Sequence, residues 1–119
     1  MVAITGRIEA MSGGRRELCQ ALLQWSDEVR RSGNGNAYLS EDLECAHVFW
    51  LIASWPNQEA FEHHARGVAF GRLVGAIELL ASSDALTVCI EGASQSRFRD
   101  FRQTATSALR PPGSRQDQN

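Results

Sequence analysis

The run Ala46-His-Val-Phe-Trp-Leu-Ile-Ala-Ser-Trp55 is almost wholly apolar and reads as one strand buried on both faces. Alternation puts His47, Phe49, Leu51, Ala53 and Trp55 on one side, with Val48, Trp50 and Ile52 on the other. A sheet built around such a strand needs cover on both sides. A chain of 119 residues has room for one domain, so its own helices can supply one layer. The second layer must come from elsewhere.

The flanking sequence supplies the rest of the sheet. Val2 to Ile8 alternates, with Val2, Ile4 and Ile8 on one face, as a half-buried strand does. Met11-Ser-Gly-Gly14 breaks that pattern and opens a helix, with Ser12 as the expected N-cap. Leu18, Ala21, Leu22, Trp25 and Val29 then recur at helical spacing against a charged opposite side, up to Ser32-Gly33. A second strand is expected from Ala37 to about Leu43, and Glu41 to Glu44 suits a hairpin rim.

After the apolar strand, Pro56 stops the ladder and Asn57 can cap a helix with Glu59 in its first turn. Gly67 interrupts that helix. A further helical stretch follows from Val68 to Ala81, with Phe70, Leu73, Val74, Ile77 and Leu80 periodic. Ser82-Ser83-Asp84 is expected as a turn and Ala85 to Ile90 as the last strand.

The order β-α-β-β-α-β over residues 1–91 is the ferredoxin-like α+β pattern, an antiparallel sheet with both helices on one face. Residues 92–119 form a polar extension. Phe98, Phe101, Ala105 and Leu109 make a weak helical stripe there, and disorder is expected from about Pro111.

The uncovered face would carry Val48, Trp50 and Ile52, an apolar patch that needs a partner. A second copy in a two-fold arrangement is the simplest cover. The alternative is that the C-terminal stripe folds back over it.

Composition excludes several classes. A net charge of -2 and a pI near 5.9 give no footing for nucleic acid or an anionic membrane. All 12 basic residues are Arg, so lysine Schiff-base chemistry is excluded. The 3 cysteines, Cys19, Cys45 and Cys89, are scattered and suit neither a disulfide framework nor a cysteine-built zinc site. No leader pattern opens the chain and no apolar run approaches the roughly 20 residues of a membrane span, so a reduced cytoplasm is expected. Gly13-Gly14 and Gly33-x-Gly35 lack phosphate-loop spacing and read as turns.

The stretch Ser54-Trp-Pro-Asn-Gln-Glu-Ala-Phe-Glu-His-His64 resembles the signature of the antibiotic biosynthesis monooxygenase family. Trp55, Glu59, Ala60, Phe61, His64 and Phe70 fill its positions, and Gly33, Tyr38 and Asp42-Leu43-Glu44 look like its hairpin. The resemblance spans about residues 1–91. Ala53 stands where an acidic residue is frequent, and Gly67-Val68 replaces a Ser-Pro. What the resemblance implies is a dimeric α+β barrel that oxygenates small aromatic or quinol-type molecules without metal, haem or flavin. Its cleft would be lined by Ile4, Phe49, Leu51, Trp55, Phe61, His64 and Phe70. One branch of the family degrades haem, but its Asn, Trp and His positions fall here on Gly6, His64 and Val74, so no haem chemistry is expected.

Each candidate has a plain structural reading beside its functional one. His64, with an ordinary pKa of about 6.5, suits proton handling, or it merely packs near a helix end. Trp55 would stack on a flat substrate or simply fill the core. Tyr38 would donate a hydrogen bond in a pocket or serve as an ordinary strand residue. Phe49, Phe61 and Phe70 are core first and pocket walls second, and Trp50 is dimer core. His63 and His64, adjacent on a helix, diverge and make a poor metal pair even with His47. Glu59 suits the helix dipole better than a base role. The leading expectation is a cofactor-independent monooxygenase, with His64 catalytic and Trp55, Phe49, Leu51, Phe61, Tyr38 and Phe70 binding substrate. The rivals are a non-catalytic dimeric binding module and an isomerase on the same scaffold.

Overall fold

A computed structural model describes residues 1–90 and the backbone of residues 96–97. Its elements are β1 (Val2–Ala10), α1 (Arg15–Ser32), β2 (Asn36–Glu41), β3 (Val48–Trp55), α2 (Gln58–Ala65), α3 (Val68–Leu80), β4 (Ala81–Ile90) and the short β5 (Ser96–Arg97). The strands form one antiparallel sheet in the order β2-β3-β1-β4-β5, the ferredoxin-like arrangement the pattern implies.

Register explains the core. β1 sits between β3 and β4, with Ile4 opposite Ala53 and Val88, and Ile8 opposite Phe49. These residues share the helix-side face and are fully buried with Leu18, Leu22 and Val29 of α1 and Phe70, Leu73 and Ile77 of α3. Gly6, in the middle of β1, lies on that face too. A Cβ there would collide with the Ala85 carbonyl oxygen and Leu86 Cα, so β4 can close onto β1 only over glycine.

Four local expectations are corrected. Ser12 does not cap α1: Gly14 holds the N-cap position without a side-chain bond, and Gly13 at φ 83° makes the turn. The Ser82-Ser83-Asp84 turn is instead strand, because α3 runs directly into β4 and Ser83 and Asp84 pair with Glu9 and Ile8. Ladder hydrogen bonds to β1 outweigh the turn preference of these residues. β2 stops at Glu41, since Asp42 folds back and its Oδ2 accepts from the Glu44 and Cys45 N–H groups. β3 starts at Val48, leaving Ala46 and His47 exposed in the turn.

No helix among the described residues covers the other face of the sheet. Trp50, Ile52 and Tyr38 are 41%, 52% and 60% exposed, and Tyr38 stands opposite Ile52 in the β2–β3 ladder. Val48 is buried beside the 42–47 turn, which hydrogen-bonds to it through Asp42 and Cys45. The helical stripe expected at Phe98 to Leu109 and the tail from Pro111 lie outside the described residues. The β5 pairing to the free edge of β4 was not foreseen.

Candidate functional site

The site grows from the end of β3. Trp55 closes that strand, Pro56 cannot extend it, and Asn57 caps α2 by accepting the Ala60 N–H at 2.8 Å. The one-turn spacing of Phe61 and His64 then turns both inward. Trp25 comes from α1 and Phe70 from α3.

These rings form a single cluster. Trp55 lies 5.1 Å from Phe61 and 5.2 Å from His64, centroid to centroid, while Trp25 and Phe70 each lie 5.6 Å from His64. Most pairs meet edge to face, the geometry that sets positive ring edges against negative faces. Trp25, Trp55, Phe61 and Phe70 are buried and His64 is half-buried.

The indole N–H of Trp25 donates to His64 Nε2 at 3.0 Å. A donor aimed at Nε2 requires a bare nitrogen there, so the neutral ring carries its proton on Nδ1. Burial lowers the His64 pKa to about 4; the Glu28 carboxylate opposes the shift and His63 adds to it. At neutral pH the imidazole is therefore uncharged, a hydrogen-bond donor at Nδ1 with its basic lone pair engaged by Trp25.

Of the residues expected at the site, the structure brings together Trp55, Phe61, His64 and Phe70. Phe49 and Leu51 lie earlier along β3 in the fully buried core, and Phe49 carries the Arg15 guanidinium 5.2 Å over its ring. The six residue steps from Phe49 to Trp55 span about 20 Å of strand, so the two aromatics serve opposite ends of the sheet. Ile4 is likewise plain core. Tyr38 is corrected: strand alternation turns it to the helix-free face beside Ile52, away from His64.

Trp25 is the residue the sequence reading missed. Its helical spacing identified it as core, and nothing local marks an indole N–H that meets a histidine 39 positions on. His63 is exposed while His64 packs inward, and no cluster of three metal-ligating side chains occurs among the described residues. No helix among them is long and apolar enough to cross a membrane.

Comparison with known proteins agrees with this architecture. The family model for antibiotic biosynthesis monooxygenases matches residues 1–76. Among solved structures, a candidate antibiotic biosynthesis monooxygenase of Deinococcus radiodurans superposes with a TM-score of 0.68 at 22% identity, covering 79% of this chain and 95% of that one. A Pseudomonas aeruginosa protein gives 0.67 at 22% identity, covering 77% and 94%. A Mycobacterium tuberculosis protein gives 0.67 at 17% identity, covering 78% and 96%. No curated protein sequence is significantly similar.

Proposed function

The chain belongs to the antibiotic biosynthesis monooxygenase family, and from that premise we propose that it is a cofactor-independent monooxygenase acting on a small aromatic or quinol-type substrate. The carrying observation is the half-buried His64, kept neutral inside an aromatic cluster. A phenolic substrate with a hydrogen on the reacting carbon needs no external reductant: with O2 it yields the quinone and one water, its own electrons reducing the second oxygen atom. The enzyme's task is to hold the ring, exclude water and favour the phenolate.

In this reading Trp55 and Phe61 hold the ring of the substrate and the His64 Nδ1–H donates to its oxygen, stabilising the anion as the phenolic proton leaves to solvent. A neutral imidazole suits that donor role, and its engaged Nε2 makes it a poor base. The protein acts as a cytoplasmic homodimer in which the Trp50–Ile52 face meets its copy. The engaged Nε2 also supports a second reading, a binding module in which His64 is structural.

Oxygen uptake with a panel of dihydroxyaromatics tests this directly. One panel member should consume one O2 per substrate, and His64→Ala should slow it about a hundredfold. Saturable binding with no uptake by the wild type would establish the binding module instead.

A further inference from the structure

The three tryptophans differ in where their indole N–H groups go. That of Trp25 donates to His64 Nε2 and that of Trp50 to Asp42 Oδ1, each at 3.0 Å. That of Trp55 has no acceptor among the described residues, although the side chain is only 2% exposed. Among the described residues Ser26 Oγ is the one fully buried side-chain polar atom without a partner, so the Trp55 N–H keeps a little surface open to solvent, where a ligand acceptor can reach it.

The open space is present. A cavity of about 380 Å³ lies at the turn joining α1 to β2, walled by Trp55 and Ser54 on one side and Gly33 to Asn36 on the other. Gly35 lies close against the indole: a Cβ there would sit 2.8 Å from Trp55 Nε1 and Cδ1 and from the Ser54 carbonyl oxygen. The αL turn at Gly33, φ 78°, swings the loop to make this approach.

Arg30, in the last turn of α1, also lines the cavity. One of its nitrogens is tied to the Ala37 carbonyl, another lies 3.9 Å from Asp27, and the guanidinium sits 6.0 Å over the Tyr38 ring. Of five N–H donors, these contacts leave several for a ligand. The guanidinium is held in place, and among the described residues no carboxylate lines the cavity beside it.

We propose that this cavity binds a small organic carboxylate, whose oxygens accept the Trp55 indole N–H and pair with Arg30. The assignment rests on the cavity and the unspent donor, independently of any oxygen chemistry. Because the Trp55 ring also packs against His64 and Phe61, a bound carboxylate would be felt in the aromatic cluster.

The test is a titration of the wild-type protein with benzoate and, separately, with benzamide, its neutral analogue, followed by the indole N–H resonances in two-dimensional NMR. The Trp50→Phe and Trp25→Phe variants assign the peaks. Benzoate should move the Trp55 resonance saturably and leave that of Trp50 in place, with benzamide at least tenfold weaker. Arg30→Gln should weaken benzoate about tenfold and Arg30→Lys should largely restore it. Equal effects of benzoate and benzamide, or a Trp55 resonance unmoved by benzoate, would overturn the proposal. So would unchanged binding in folded Arg30→Gln. The wild-type comparison decides even if that variant does not fold.

Discussion

Trp25 Nε1 donates to His64 Nε2 across 3.0 Å, tying α1 to α2 through a polar contact inside a cluster of aromatic rings. The bond does two things at once. It satisfies a buried indole N–H, and it fixes which nitrogen of His64 carries the proton.

Trp25→Phe removes the donor, keeps an aromatic ring and strands a half-buried acceptor. Chemical denaturation should show a loss of about 2–3 kcal/mol, combining a small cavity with the unpaired nitrogen. The His64 pKa should rise from about 4, since protonating Nε2 no longer requires giving up the indole bond. A variant as stable as the wild type would show that the bond contributes nothing.

The same histidine makes stability depend on pH. Its folded pKa, about 4, lies below the ordinary 6.5, so between these values the unfolded chain binds more protons than the folded one. The stabilisation is complete above about pH 6.5 and is lost progressively as pH falls towards 4. A fully shielded ring would give about 3 kcal/mol across that window; His64 keeps part of its ring in solvent, so about 2 kcal/mol is expected. Denaturation midpoints at pH 7.5 and pH 4.5 measure this, and His64→Gln should flatten the difference.

The helix-free face carries the dimer proposal. Ile52 is 52% exposed and flanked by Tyr38 across the ladder, so Ile52→Glu adds charge without disturbing the monomer's core. Sedimentation should find a dimer for the wild type and a monomer for the variant, with unchanged far-ultraviolet circular dichroism. Identical oligomeric states would remove the face from the account.

The layers of this fold were legible because period-2 and period-3.6 patterns report burial directly. The faces of Phe49, Leu51, Ala53 and Trp55 against Trp50 and Ile52 follow from alternation alone. What failed was punctuation. Ser82 to Asp84 look like a turn until β1 offers them a ladder, and Ser12 looks like a cap until Gly13 takes the positive φ. The site was half legible: Trp55, Phe61 and His64 are close in sequence and reach one cluster through a single strand–helix junction. Trp25 joins them only because α1, packed beside α3 and β2, brings its indole to His64, and Tyr38 was misplaced because a hairpin motif does not state which face its residues take.

The state of His64 is the claim on which both the proton chemistry and the pH dependence stand. Two-dimensional proton–nitrogen NMR of the imidazole rings, assigned by loss of one ring in His64→Gln, reads tautomer and pKa together. At pH 7 His64 should show a bare Nε2 and a protonated Nδ1, and its titration midpoint should fall near 4. A proton on Nε2, or a midpoint near 6.5, would contradict the account.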